Sequence, residues 1–523
     1  MSEALRVLAI SAPHWPGGRR GSIRSLQSAT PFSLLNALRG VFGKLALHEE
    51  PWEASNLREE ESRTASIRMF DYLPEALDWL AAAIWDTKPN LLLIGAMSIS
   101  VPGAIACARL ARESLGDSCL VVLGGKHVTE TLWADEGGEP LAHPSAKALL
   151  ETGLFDVLVS GDAEEVIVAI GEALAESLFV PRNALDRIWE LLPTCRGKFV
   201  VAANSDAGKR RCASGFATPD YDSLPVVYDW YPVNALFGVG LGRPTAHGYS
   251  YSSKGCIYNC FFCSENNRIN GPISAGALLA AGGRLARQFE EIERIQKSRG
   301  AAAPFIFVED SIFLQGYLPA WTSFINERQK VDRGASFGMQ LTVDLIEDPR
   351  RQLVLRGLAE VGLSYVFVGV ETSDPALATS MAKNVNKAVP WTDRSEQAVR
   401  ALTDLGISVG VSLLFGLGET HATRMELLRT VGHWVATYGQ PVAISLNWAV
   451  KHPLRGGDES AATYFEWPVD ESDERYSLIT RLFGEASVRY CLDGTQPPTM
   501  DELEDIARQS EKMEEHRAHG PYR

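Results

Sequence analysis

Long apolar runs, an excess of basic residues and any pairing of its scattered cysteines are what this 523-residue chain lacks. Nowhere do about 18 consecutive apolar residues occur, the length a membrane-spanning helix needs, so no span is expected. The start, MSEALRVLAISAPHW, has an early acidic residue and only a short apolar stretch, which argues against a secretory leader. Lysine and arginine number 50 against 65 aspartates and glutamates, a formal net charge of -15. With no basic block to neutralise a phosphate backbone, the balance argues against dedicated nucleic-acid binding while leaving room for local basic pockets. Cys107, Cys119, Cys195, Cys212 and Cys491 lie far apart, without a disulfide framework, as thiols do in a reducing compartment. No internal repeat or low-complexity tract is present. These absences describe a cytoplasmic protein whose partners are small molecules.

What the chain does contain is two stretches in which short apolar runs alternate with helical patterns. With 46% hydrophobic residues it can bury two or three cores. In residues 1–175, ALRVLAI (4–10), LLLIGA (91–96), CLVVLGG (119–125) and FDVLVSGD (155–162) end in glycine or small residues, as buried parallel strands do. Between them, PFSLLNALRGVF, LPEALDWLAAAIW and PGAIACARLARESL repeat apolar residues near helical spacing. The alternation predicts an α/β domain with a doubly wound sheet of flavodoxin or Rossmann type, binding ligands beyond the carboxyl ends of its strands.

Residues 176–244 lose this rhythm and gather Pro, Tyr and Trp, among them Tyr228, Trp230 and Tyr231, which suits an ordered connector. From 245 to 455 the pattern resumes: HGYSYSSKG, PFIFVED, SFGMQLTVDL, LSYVFVGVET, GISVGVSLLFGLGE and PVAISLNWAV are six strand candidates, each pair separated by room for a helix. They predict a partial (β/α)6 barrel of TIM type with its active site at the carboxyl ends of the strands. Residues 456–523 form a small acidic C-terminal region closed by the charged helix candidate MDELEDIARQSEKMEEHR.

The first barrel strand runs into SSKGCIYNCFFCSEN, where Cys256, Cys260 and Cys263 fall within eight positions. Crowded thiolates suit a soft metal. A structural zinc site needs four ligands, usually in two pairs, and no second Cys/His pair is near; His247 is the one candidate for a fourth. A 4Fe-4S cluster fits three thiolates better, because the fourth iron stays open to chemistry.

The spacing Cys-x-x-x-Cys-x-Phe-Cys after the first strand of a six-unit β/α pattern resembles the radical S-adenosylmethionine enzyme superfamily. The resemblance runs over roughly 245–455 and implies that S-adenosylmethionine chelates the open iron and is cleaved reductively to a 5'-deoxyadenosyl radical. It implies S-adenosylmethionine contacts from Tyr258 and Phe262 in the loop, and from Glu309 and Asp310 of FVED. Gln340, with Thr342 as the alternative, Glu371 of VGVETSDP and Ser412 of SLLFGLGET complete that set. Two positions depart from the family pattern: Ile257 stands where Pro is frequent, and Lys254 where Arg is common, a point charge in place of a bidentate fork.

In the amino-terminal domain GAMSIS, LGGKHVTET and VSGDAEE resemble, in order and spacing, the cobalamin-binding domain fused ahead of many such enzymes. That resemblance implies cobalamin contacts from Ser98, Ser100, Gly124, Gly125 and Gly161, with the serines alternatively capping a helix. The first loop, SAPHWPGG, offers His14 as an axial cobalt ligand but has Ala12 where better-known cobalamin proteins carry an orienting Asp, so a cobalt without a protein imidazole is the main expectation.

Together the two resemblances imply a cobalamin-dependent radical S-adenosylmethionine methyltransferase acting on an unactivated carbon of a small molecule or natural product, supplied with electrons by a flavodoxin or ferredoxin. Three rivals stand beside it: a radical enzyme that rearranges, cyclises, dehydrogenates or epimerises without methylating, a cobalamin- or cluster-carrying sensor, and a zinc-stabilised binding module.

Overall fold

The computed structural model describes residues 5–12, 73–134, 140–142, 144–204, 210–217, 246–250, 252, 255–258, 260–265, 274–298, 304–331, 334–381, 389–452, 474–483 and 491–519. The chain divides into two compact units. The first comprises Met1–Pro232, Asn267–Asn270 and His452–Pro468; the second comprises Val233–Asn266, Gly271–Lys451 and Val469–Arg523. The predicted helix at PFSLLNALRGVF, His14, Lys254 and the aromatic trio Tyr228, Trp230 and Tyr231 lie outside the described residues.

In the first unit β1 (Val7–Ser11), β2 (Leu91–Gly95), β3 (Leu120–Gly124) and β6 (Val157–Gly161) are parallel neighbours in chain order. Each is a five-residue run whose apolar side chains have no polar face to turn outward, and β2 is buried throughout. The helix Val101–Leu115 stops at Gly116, whose positive φ of 56 is one that glycine adopts without a Cβ penalty. Its Arg112 reaches Asp156 at 2.7 Å, and Asp156 also accepts from the Val121 amide at 2.7 Å, so one ion pair ties helix to sheet. Burial raises the Asp156 carboxyl above its ordinary range, against the lowering pull of Arg112.

Two strands lay hidden in the expected connector. β7 (Gly197–Asn204) and β8 (Arg210–Ala217) add to β6 antiparallel, after a helix at Pro181–Leu191, and make the sheet mixed. The boundary at 176 therefore moves: residues 181–217 build the first unit. The signal was weak because FVVAA is followed by the polar turn NSDAGKR and a partner strand with no clean alternation. A small antiparallel pair, β4 (Leu132–Ala134) and β5 (Pro140–Ala142), sits apart from the main sheet.

The second unit carries all six expected strands: β9 (Ala246–Ser250), β10 (Pro304–Val308), β11 (Ser336–Thr342), β12 (Leu363–Glu371), β13 (Ser408–Phe415) and β14 (Ala443–Trp448). They are parallel and neighbour one another in sequence order, a half-barrel. On the helix-covered face Phe337 packs edge-on against Phe289 and Phe324, at centroid separations of 5.4 and 5.5 Å. The nearby pair Arg328 and Glu293, 2.7 Å apart with side chains 1% and 4% exposed, is fully desolvated.

The other face is stratified. Phe305, Phe307, Tyr365 and Phe367, with Val442, fill its lower half. Gly410 is obligatory there, since an added Cβ would stand 2.8 Å from the Phe367 ring. Above this aromatic floor, toward the carboxyl ends, the same face carries Gln340, Thr342, Ser412, Ser445 and Asn447. A ligand is thus held to the carboxyl end because the opposite end is plugged. The C-terminal region does not stand alone: Phe483 of the helix Tyr476–Phe483 packs on Trp448, and the helix Met500–His519 meets His421–Tyr438 through Arg424 and Glu502.

Candidate active site

The cysteine loop lies over the carboxyl ends of β12 to β14. Cys260 is buried with Met381, Leu414, Leu417 and Ala449, and Phe261, Phe262 and Leu492 pack around them. Backbone amides point at two of the sulfurs: Tyr258 N–H at Cys256 Sγ (3.4 Å) and Glu265 N–H at Cys263 Sγ (3.5 Å). Such bonds stabilise thiolate charge. Cys260 Sγ stands 3.3 Å from the Met381 carbonyl. By contrast, burial pushes the thiols of Cys107 and Cys119 up to about 12, so those two stay protonated and inert at neutral pH. Among the described residues no three His, Cys, Asp or Glu side chains converge as one metal ion demands. A zinc ion needs its donors gathered about 2.3 Å from one point, whereas a cubane takes each thiolate at a separate corner. Three thiolates from one loop suit such a cluster, each at a corner of its own.

A strap holds this loop. The Tyr258 hydroxyl donates to the Asp344 carboxylate and lies 3.0 Å from Thr342 Oγ1, both just past β11 or at its end. Burial, then the Asp344 charge, raise its phenol far above the ordinary tyrosine range. Asp310 plays a similar part from β10: its carboxylate accepts from the Ser252 amide (2.6 Å), the Ser252 hydroxyl and the Leu314 amide (3.0 Å), at 1% exposure. Tyr258 and Asp310, expected as ligand contacts, fasten the loop with their polar groups. Glu309 and Phe262 are half-buried beside them, and Gln340 donates to the Asp310 carbonyl at 3.3 Å.

Glu371 and Ser412 are brought together. Ser412 donates to Glu371 Oε2 at 3.3 Å, where a register shift between Gly369 and Glu371 breaks the β12–β13 ladder. Glu371 has a φ of 65, unusual for a residue with a Cβ, and is 7% exposed. The Val370 carbonyl at the bulge is satisfied by Trp391 Nε1 at 2.8 Å. The turn after β13 closes through a residue that motif reading passed over. Glu419 accepts from the Gly416 and Leu417 amides (2.8 and 2.7 Å) and from Arg424 Nε (2.6 Å), and Arg424 stacks over Trp448 at 4.8 Å.

In the first unit the predicted contacts gather at the carboxyl ends of β2, β3 and β6. Ala96 N–H donates to the Gly124 carbonyl (3.0 Å) and Gly161 N–H to Thr129 Oγ1 (3.2 Å). Ser100 is spent locally, accepting from the Met97 amide (2.9 Å) and donating to the Met97 carbonyl (3.1 Å). Gly125, at φ 90, is required by the protein itself: a Cβ would come within 2.6 Å of the Ala96 nitrogen. Gly124 is freer, with only the Val159 carbonyl at 3.4 Å. Ser98 lies 3.0 Å from His127 Nδ1, whose Nε2 is 2.9 Å from Ser145 Oγ, so His127 has both ring nitrogens engaged. The buried Glu130 beside them is 3.3 Å from His452 Nδ1. Sequence reasoning missed Glu130 and His452, for nothing in the chain marks two residues so far apart as partners.

A loop of three thiolates strapped over the carboxyl ends of a parallel half-barrel defines a class before any comparison is made. Residues 250–431 match the family described as the radical SAM superfamily. The "Uncharacterized methyltransferase PH0819" of Pyrococcus horikoshii is 22% identical over 386 residues, 72% of this chain and 70% of that protein. The "Hopanoid C-2 methylase" of Rhodopseudomonas palustris is 25% identical over 172 residues, 32% of this chain and 29% of that one. Among solved structures, the cobalamin-dependent S-adenosylmethionine radical enzyme OxsB with aqua-cobalamin and S-adenosylmethionine bound aligns with a TM-score of 0.48 and 14% identity. That alignment covers 98% of this chain and only 62% of OxsB. Residues 250–431 thus carry a radical SAM domain, and that domain implies a 4Fe-4S cluster and S-adenosylmethionine as its cofactors. No helix among the described residues is long and apolar enough to cross a membrane.

Proposed function

We propose that this enzyme is a cobalamin-dependent radical S-adenosylmethionine methyltransferase acting on an unactivated carbon of a small-molecule or natural-product substrate. The observation that carries the reading is the Cys256, Cys260 and Cys263 loop, one thiolate short of a filled cubane, fastened above a plugged half-barrel. The methyltransferase names of two relatives support the reaction type, and the resemblance of the Ser98, Gly124 and Gly161 turns to a cobalamin-binding domain supports the second cofactor. When bound, the cluster would supply the electron that cleaves S-adenosylmethionine, and cobalamin would carry the methyl group.

The chain's own residues bind, orient and shield. Amides of Tyr258 and Glu265 stabilise thiolate charge at Cys256 and Cys263. Glu309 receives the amino group of the methionyl portion, Phe262 packs beside the adenine, and Glu371 with Ser412 accepts the ribose hydroxyls. Gln340 faces the ligand from β11. The aromatic floor keeps water from entering beneath. In the first unit Ser98, Gly124 and Gly161 would contact cobalamin, and Ser100 and Gly125 would shape the turns that present them. The domain division is then a cobalamin-binding domain through residue 217, a radical SAM half-barrel from 245 to 451, and C-terminal helices packed on the latter. We place the enzyme in the cytoplasm, reduced by a flavodoxin or ferredoxin.

The test is anaerobic reconstitution with iron, sulfide and cobalamin, followed by assay on candidate metabolites. A product heavier by one CH2, formed together with 5'-deoxyadenosine, is the expected result. A product with no added carbon supports the second reading, a radical rearrangement or dehydrogenation without methyl transfer. What favours that alternative is that the protein's own backbone already explains Ser100 and Gly125.

A further inference from the structure

We propose that Asn447 is a positioning residue for S-adenosylmethionine: it sets the direction of the hydrogen bonds that reach Glu371 and so fixes the carboxylate that holds the ribose. The inference rests on the reading of Glu371 and Ser412 as ribose contacts. Its own basis is a polar row across three adjacent strands.

Asn447 lies on β14, opposite Leu414 of β13, and its neighbour Ser445 lies opposite Ser412. Asn447 Nδ2 has four oxygens around it: Ser445 Oγ at 3.1 Å, Ser412 Oγ at 3.3 Å, the Ser445 carbonyl at 3.4 Å and the Leu413 carbonyl at 3.5 Å. Two of these are carbonyl oxygens, which only accept, so the amide must present its NH2 to them and not its oxygen. An NH2 only donates. Its two protons are shared among four oxygens, and whenever one goes to Ser412 Oγ that oxygen is the acceptor, which leaves the single Ser412 proton for Glu371 Oε2, 3.3 Å away. The order of donors runs one way, from Asn447 through Ser412 to Glu371.

The receiving carboxylate needs such control. Glu371 is nearly buried and its backbone is held in the left-handed region at a β-bulge, so its side chain has little solvent to orient it. Its position above the aromatic floor leaves the ligand side as the place for further donors, and vicinal ribose hydroxyls are such donors. Removing the Asn447 amide frees the Ser412 hydroxyl to turn toward the Ser445 or Leu413 oxygens, and Glu371 then loses the bond that aims it.

The experiment is a double-mutant cycle on the reconstituted, cobalamin-loaded enzyme, reading the dissociation constant of S-adenosylmethionine by equilibrium dialysis. Asn447→Ala is expected to weaken binding about tenfold, the size of one lost hydrogen bond to a charged acceptor. Iron content stays at the parent value. In a Glu371→Gln background the same change is expected to cost less than about twofold, because the pathway it acts through is gone. Asn447→Asp keeps the shape while turning a donor into an acceptor, and it is expected to weaken binding more than Ala does. Equal losses in both backgrounds, or an Asp variant that binds like the parent, would overturn the proposal. If Glu371→Gln alone left binding unchanged, the ribose reading itself would fall and this inference with it.

Discussion

The carboxyl edges of the two parallel sheets use similar residue types to different ends. At the edge of the half-barrel, the polar groups fasten a loop of thiolates and line a face that is plugged from below. At the edge of the first sheet, the polar groups mostly satisfy one another: Ser100 with Met97, Ser98 with His127 and Glu130, and Gly125 against Ala96. A motif match therefore weighs more on the second unit, where the three thiolates have chemistry the fold does not need, than on the first, where glycine and serine have work to do in the fold alone.

The sharpest way to break the comparison is to remove its chemical half. Replacing Cys256, Cys260 and Cys263 with Ala is expected to abolish iron and sulfide incorporation and 5'-deoxyadenosine release together, while cobalamin uptake by the first unit continues. Uptake and cleavage are read by metal analysis and chromatography. Next in size is Glu293→Ala, which strands Arg328 in the interior and should cost about 3 to 5 kcal/mol in a denaturant titration. A loss under about 1 kcal/mol would mean that water reaches the pair.

The glycines separate ligand contact from fold. Gly125→Ala should destabilise the protein, because its Cβ meets backbone and its φ is left-handed. Gly124→Val should leave the melting temperature near the parent value while lowering cobalamin occupancy; unchanged occupancy would remove Gly124 from that site. Tyr258→Phe should loosen the strap by about 1.5 to 3 kcal/mol, the worth of a hydrogen bond to a charged group, and speed iron loss to a chelator. The smallest effect is alkaline. Cys107 and Cys119 hold their protons up to about 12 when folded against 9.0 ordinarily, so the unfolded chain ionises first. Their contribution to stability is complete below pH 9 and is lost as pH rises toward 12. Cys→Ala variants at both positions should flatten that decline.

How much of this was legible in the sequence follows from the same contrast. All six strands of the half-barrel were readable because each is a short β-rich run between helical segments, and the cysteine spacing marked the loop. β7 and β8 were not, since a hairpin that ends a parallel sheet breaks the alternation by which the others were found. Glu371 and Ser412 could be named from short motifs, yet their contact depends on a bulge that no pattern announces. Asp310 and Tyr258 could be named, yet their part in fastening the loop was not legible, because a carboxylate or phenol that does so looks in sequence like one that meets a ligand. Glu419, Glu130, His452 and Asn447 join residues through tertiary contacts, and single-chain patterns carry no trace of those.

The central claim is that the cysteine loop holds a 4Fe-4S cluster with one iron left for S-adenosylmethionine. Electron paramagnetic resonance of the anaerobically reconstituted, dithionite-reduced enzyme, recorded with and without S-adenosylmethionine, tests it most directly. The account predicts a reduced-cluster signal that changes when S-adenosylmethionine is added and disappears in the triple Cys→Ala variant. A colourless protein that takes up zinc, or a cluster signal indifferent to S-adenosylmethionine, would contradict it.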